Sequence, residues 1–231
     1  MRVANASPNG RFRLDAIADM AQDIAVDDSA DAGIGQDVST WVVRRTVIEV
    51  EQAAVINEQL EHTTWCSGRG SRWAERRTSF RGDKGARIET VTLWVHIDVA
   101  SGRAIGLPAR FDEVWGESAG GREVSARFQH DLVVPDDVDV IPWSSRFVDF
   151  DVLGHVNNAA TWAMVEETIA AMRGPRVPLR AELEYRVPIG RHDDVEIAFT
   201  ATDASLRVWI VDAETGERPY ATAVVEPLAA D

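Results

Sequence analysis

Between Asp149 and Asn158 the chain gathers two aspartates, a histidine and two asparagines in one short run, Asp149-Phe150-Asp151-Val152-Leu153-Gly154-His155-Val156-Asn157-Asn158. These side chains can transfer an acyl group to water. A carboxylate at Asp151 can attack a carbonyl carbon or take the proton of a water that does, and an imidazole at His155 can orient that water or shuttle its proton. The run ends where a helix is expected to start, and a helix start presents backbone N–H groups without internal partners at the positive end of the helix dipole. Gly154, Val156, Asn157 and Asn158 are therefore expected to support the negative charge that develops on a thioester oxygen. The same residue types also build turns and N-caps, so Asp149, Asn157 and Asn158 have a purely structural reading as loop formers. On spacing alone the structural reading is the heavier.

The elements around this run follow from periodicity. A helix is expected over Ala159 to Met172, with Trp162, Val165, Ile169 and Met172 on one face, asparagine before it and Arg173-Gly174-Pro175 after it. Strands are expected over Ala181 to Val187 and Val195 to Thr200, and a hairpin from Arg207 to Val211 and Tyr220 to Val225 about Glu214-Thr215-Gly216. The first half shows a similar order. Residues 15 to 27 read as an amphipathic helix with Asp15 as N-cap, followed by Gly33 and Gly35. Trp41 to Glu51 alternates as a half-buried strand, and Trp73 to Phe80 pairs with Arg87 to Asp98 about Arg81-Gly82-Asp83-Lys84-Gly85. Short strands at Arg11 to Leu14 and Ser145 to Val148 are expected to lead into each half, and Ser118-Ala119-Gly120-Gly121 and Pro135-Asp136-Asp137 mark a polar connector. Helix followed by antiparallel strands, twice over, predicts a duplicated α+β module in which the sheet wraps the helix.

Composition narrows the function classes. With 45% hydrophobic and 27% charged residues the 231-residue chain fits an ordinary globular protein. A net charge of −14 argues against a general nucleic-acid binder, which needs a basic surface. No apolar run has the length of a membrane span, and the N-terminal stretch lacks a signal-peptide core, so the default expectation is a cytoplasmic protein. The single cysteine, Cys66, reads as a structural strand residue. No His/Cys/Asp group has metal-ligand spacing and no glycine-rich loop is placed to cradle phosphate, so neither metal nor cofactor is expected.

The segment Arg146-Phe147-Val148-Asp149-Phe150-Asp151, with Gly154-His155-Val156-Asn157-Asn158 after it, resembles the signature of plant and bacterial acyl-ACP thioesterases. Further landmarks of that family occur in order: the helix Leu14 to Ala25, Trp41-Val42-Val43-Arg44, Arg76-Arg77 and Leu183-Glu184-Tyr185-Arg186. The resemblance implies two tandem hotdog modules, with boundaries expected at 1–117, a connector 118–140 and 141–231, the second module holding the site and the first shaping the acyl pocket. It implies hydrolysis of fatty acyl-ACP to free acid and carrier protein, with Asp151 and His155 catalytic. Glu167 falls where the family has an acidic helix residue and reads equally as part of a solvated helix face, and Gln22 and Asp23 could reach the site from the first helix, although a plain polar helix face is the heavier reading for both. Two positions depart from the plant pattern: Leu153 stands where an asparagine is usual and Pro188 where a glutamate is usual. However, Asp151-Val152-Leu153-Gly154 also resembles the Asp-x-x-Gly turn of simpler hotdog thioesterases, such as 4-hydroxybenzoyl-CoA thioesterase, in which that aspartate is catalytic. The rival expectations are an acyl-CoA thioesterase and an acyl-binding hotdog protein without hydrolysis. The basic residues Arg72, Arg76 and Arg81 lie in a local stretch that could dock an acidic carrier protein or, equally, form a solvated strand and hairpin, since strand alternation sends Arg76 and Arg77 to opposite faces.

Overall fold

The first expected helix is α1 (Leu14–Asp31), one residue earlier and four longer at its end than its apolar periodicity marks. The computed structural model describes residues 1–34, 39–172, 177–216 and 218–229; Gly35 and Arg173-Gly174-Pro175 lie outside the described residues. Asp15 is not the N-cap. Arg13 holds that position, and Asp15 sits in the first turn with both carboxylate oxygens on the Arg13 guanidinium at 2.8 and 2.9 Å. The cap of α1 comes from the other half of the chain: the Leu14 N–H donates to Glu166 Oε1 at 2.5 Å, and Arg11 grips the same carboxylate with two N–H groups.

Four strands follow, β1 (Ser39–Gln52), β2 (Leu60–Arg69), β3 (Trp73–Gly82) and β4 (Arg87–Asp98), and then a short helix α2 (Phe111–Ala119). The second half runs β5 (Asp139–Trp143), α3 (Asn158–Met172), β6 (Leu179–Tyr185), β7 (Val195–Ala201), β8 (Leu206–Asp212) and β9 (Ala221–Pro227). The short lead-in strands do not form. Arg11 and Phe12 make isolated bridges to Val55 and Ala6, and Phe147–Asp149 is a single 3-10 turn. That turn exists because Asp149 folds back on its own entry, accepting from the Arg146 N–H at 2.7 Å and from the Arg146 guanidinium.

All nine strands make one antiparallel sheet in the order β2-β3-β4-β1-β6-β9-β8-β7-β5. The seam between the halves is β1 against β6, where Thr46 faces Leu183 and Ile48 faces Ala181. Each half is a hotdog module, a long helix wrapped by an antiparallel sheet, and the two helices α1 and α3 pack on each other inside. Their inward faces join one core: Ile17 and Ile24 of α1 share it with Trp162, Val165 and Ile169 of α3 and with Ile48, Ile88, Leu183, Ile197 and Val208 of the strands. Met172 falls off that face and is partly exposed. Among the described residues no helix is long and apolar enough to cross a membrane.

Candidate functional site

The loop entering α3 is a tight turn held by Asp151. Its Oδ1 accepts from the N–H of Leu153 at 2.9 Å and of His155 at 3.3 Å, its own N–H donates to the His155 carbonyl, and Gly154 takes a φ of +78° to let the chain reverse. A side chain at that φ is strained, which accounts for the glycine. The turn leaves Asp151 Oδ2 without a protein partner and projects the His155 ring with no hydrogen bond of its own among the described residues. Both residues are half-buried and line one cavity of about 1060 Å³.

Not every expected donor is free. The N–H of Gly154 goes to the Asp151 carbonyl, that of Val156 to the Ile189 carbonyl and that of Asn157 to the Asp149 carbonyl. These three backbone groups are already bonded and do not form an oxyanion site, because each is used to hold the loop in place. Asn157 is the N-cap of α3, its Oδ1 accepting the Ala159 N–H at 2.8 Å. The Asn158 N–H, first in the helix, has no partner among the described residues, and Asn158 lines the cavity. Asn158 Nδ2 donates to Gln22 Oε1 at 3.2 Å, so Gln22 of α1 does reach the loop from the other module. Asp23 is exposed and lies outside the cavity lining.

Glu167 is also misplaced by the sequence reading. It is exposed on α3 and away from the cavity, whereas its neighbour Glu166 is buried and capped onto Arg11 and Leu14. One residue is a 100° rotation on a helix, enough to exchange an inward for an outward position. Leu153 and Pro188 line the cavity beside Val152 and Val187 and are exposed to solvent, making an apolar lip.

Several lining residues carry no chemical signal in the sequence. Tyr185, at the end of β6, donates its hydroxyl to the Asn158 carbonyl at 3.1 Å, and burial pushes its phenol well above its ordinary range, so it acts as a neutral donor that anchors the start of α3. Arg186 donates to Glu184 at 2.7 Å and to the His130 carbonyl at 2.9 Å, while Arg44 donates to the Ala126 carbonyl at 2.7 Å. Both guanidinium groups stand over the ring of Phe128, at 3.8 Å from its centroid for Arg44 and 4.1 Å for Arg186. Desolvation lowers both arginine pKa values, yet both remain cationic. They pin the connector along the cavity mouth.

The rest of the cavity lies in the first module, between α1, β1, β3, β4 and α2. Cys66 is a buried strand residue there, and burial raises its thiol pKa, which leaves it a poor nucleophile. Arg76 lines the cavity and is not a surface cation: its guanidinium binds Asp28 at 2.6 Å and Thr64 Oγ1 at 3.1 Å. The expected docking stretch therefore loses its middle member. Arg72 is exposed, and Arg81 is exposed but paired with Glu89 at 2.5 Å. A third cluster, His130, Glu182 and Glu184, has ligand atoms close enough to hold a cation. Arg45, Arg180 and Arg186 already offset its two carboxylates, so it reads as a clasp between connector and sheet.

With this geometry established, two family models match the chain, the acyl-ACP thioesterase N-terminal domain over residues 1–112 and the acyl-ACP thioesterase C-terminal domain over residues 135–221. An uncharacterized protein of Mycobacterium tuberculosis is 28% identical over 204 residues, covering 87% of this chain and 80% of that protein. Among solved structures, the chain is similar to a 12:0-ACP thioesterase from Umbellularia californica, with a TM-score of 0.79, 20% identity and coverage of 98% of this chain and 94% of that one. It is also similar to an acyl-ACP thioesterase from Bacteroides thetaiotaomicron, with a TM-score of 0.77, 17% identity and coverage of 97% and 93%. At these identities the structural matches establish the shared fold.

Proposed function

The chain belongs to the acyl-ACP thioesterase family, whose members are thioester hydrolases, and from that premise we propose that it releases fatty acids from acyl-ACP in the cytoplasm, as a step of fatty acid biosynthesis, with Asp151 and His155 at the scissile carbonyl. The observation that carries the assignment is the turn itself. It spends one oxygen of Asp151 on its own backbone and leaves the other, like the His155 ring, without a partner among the described residues, and both residues line the cavity.

The reaction consumes one water. Asp151 delivers the attacking oxygen, either its own or that of a water it deprotonates, and a tetrahedral intermediate forms. The Asn158 N–H at the start of α3 stabilises the oxygen that gains charge. Collapse breaks the C–S bond, and His155 passes a proton to the departing thiolate of the carrier's prosthetic arm. In the acyl-enzyme route water then cleaves the Asp151 anhydride, so both routes end in free acid and free thiol. Asn158 and Gln22 position this loop from opposite modules. Leu153 and Pro188 do no polar work, so the chain relies on Asp151, His155 and the Asn158 N–H. The carrier approaches with its acidic surface towards Arg72 and Arg81.

The test is hydrolysis of matched acyl-ACP and acyl-CoA esters by wild type, Asp151→Asn and His155→Ala. Turnover that is highest on the ACP ester and lost in both variants supports the reading. Preference for the CoA ester would make the enzyme an acyl-CoA thioesterase, and absence of turnover on all esters would make it an acyl binder.

A further inference from the structure

The wall of the acyl cavity in the first module is not uniformly apolar. Arg76 of β3 faces Cys66 of β2 across the strand pair and lines the cavity with it, with Trp115 of α2 and with Ser29 of α1. Its Nη2 donates to Asp28 Oδ2 at 2.6 Å, and the same oxygen accepts the Trp115 indole N–H at 2.9 Å. Nη1 donates to Thr64 Oγ1 at 3.1 Å. A guanidinium has five N–H donors in a fixed fork. Two are used here, which leaves three, on Nε, Nη1 and Nη2, with no protein partner among the described residues. The side chain is only 11% exposed, so those donors have little access to bulk water.

β3 lies three places from β6 in the sheet order, about 14 Å at the usual strand spacing, and β6 ends in the Tyr185 that anchors the catalytic loop. Arg76 therefore meets the acyl chain well away from the thioester. An unsubstituted alkyl chain threaded past it would strip the remaining water from unpaired donors and give nothing back, a costly arrangement. An oxygen on the chain would satisfy them. A carboxylate is a poor match, because Asp28 already neutralises the Arg76 charge and would repel a second anion. A hydroxyl or keto oxygen carries no such penalty.

We propose that Arg76 is a specificity-determining residue that selects acyl thioesters bearing a neutral oxygen, a hydroxyl or keto group, on the chain distal to the thioester. This rests on the thioesterase reading above and names its substrate class.

The experiment compares wild type, Arg76→Met and Arg76→Lys on acyl-ACPs of matched length with and without a single hydroxyl at successive chain positions. Binding of the corresponding free hydroxylated and plain fatty acids is measured in parallel by calorimetry. In wild type, kcat/KM is expected to favour the hydroxylated chain at one or a few adjacent positions by on the order of 10-fold or more, since a site built to bond a substrate oxygen discriminates against the analogue that lacks it. Arg76→Met is expected to erase that ratio by gaining on the plain chain, while Arg76→Lys keeps part of it. Equal or better turnover of the plain chain by wild type, at every hydroxyl position, overturns the proposal while leaving the thioesterase reading intact. If no ester is hydrolysed, the thioesterase reading falls, and the calorimetric preference of wild type for the hydroxylated acid decides the proposal by itself. Because the wild-type comparison needs no substitution, a variant that fails to fold does not remove the test.

Discussion

Asp151 forms the turn with Oδ1 and lines the cavity with Oδ2 free of any partner among the described residues, and the two oxygens respond differently to substitution. Asp151→Asn keeps an oxygen for the Leu153 and His155 N–H groups and so keeps the turn, but removes the carboxylate proposed as nucleophile or base. Its kcat is expected to fall by on the order of 100-fold or more with an unchanged melting temperature, and His155→Ala, whose ring makes no hydrogen bond among the described residues, is expected to do the same. A wild-type rate for purified Asp151→Asn would end the catalytic assignment. Leu153→Asn, restoring the plant-type residue, is expected to leave activity within a few-fold of wild type, because Leu153 is half out in solvent and contributes only its backbone N–H to the turn. Asp149, two residues before Asp151, holds the 3-10 turn through Arg146, and its effect is on stability. Burial alone would raise its pKa, but hydrogen bonds and charge from Arg146 hold it below the ordinary carboxylate range. A depressed folded-state pKa contributes stability that is fully present above the unfolded value of about 3.9 and is lost as pH falls through the folded value. Acid unfolding of wild type should therefore steepen below about pH 4, and Asp149→Asn should be less stable at neutral pH and show a flatter acid limb in circular dichroism.

Glu166 shows how one element depends on another half a chain away. It sits on α3 yet closes the N-terminus of α1 and neutralises Arg11, both largely buried. Glu166→Gln leaves Arg11 uncompensated and is expected to cost about 3 kcal/mol, a drop of roughly 10 °C in melting temperature for a chain of this length, while Glu167→Gln on the exposed face should change it by less than about 1 °C. The sequence separates these two neighbours poorly because helix phase, not residue type, decides which one is inside. The long elements were legible for the opposite reason: α1, β1 and β4 each repeat their apolar residues often enough to fix the type of element, and α3 reads as a helix although Met172 falls off the face its apolar residues mark. β2 was not, since Leu60-Glu61-His62-Thr63-Thr64 is an edge strand with mostly exposed side chains and no alternating apolar signal. β5 is also an edge, five residues long with Pro142 inside it. α2 did leave a mark, with Phe111, Trp115 and Ala119 one turn apart and all buried, but no helix was expected there and only its last two residues fall in the expected connector. The run from Asp149 to Asn158 stood out by its residue types and its resemblance, whereas the Tyr185 contact and the inward position of Arg76 depend on which strands pair, and single-chain periodicity does not carry that information.

The two modules share a core and a continuous sheet, so neither half has a complete interior of its own. Residues 1–117 expressed alone would expose the α1 face that packs on α3 and the open edge of β1 that pairs with β6, and are expected to show no cooperative unfolding transition as a monomer. The intact chain should unfold in one step. Its charge sets a second whole-molecule constraint. A net charge of −14 repels an acidic carrier protein at long range, so productive encounter needs a local region of opposite sign. Of the basic stretch on β3 and its flanks, Arg76 is inside the cavity, Arg69 and Arg87 are paired with Asp112 and Glu51, and Arg81 with Glu89. Arg72 and Lys84 remain exposed with no ion pair among the described residues, and Arg81 keeps about half its side chain in solvent. Reversing both, Arg72→Glu with Arg81→Glu, should lower kcat/KM for acyl-ACP by about 10-fold at low ionic strength, through the association rate. The deficit should shrink as salt rises towards physiological strength, where exposed charges are screened beyond about 8 Å. A small thioester lacking the carrier meets no such field and should be hydrolysed as by wild type. Equal loss on both substrates would mean damage to the cavity or the fold, and no loss on either would move the carrier to another face of the molecule, the exposed apolar lip of Val152, Leu153 and Val187 being the first to examine by the same salt series.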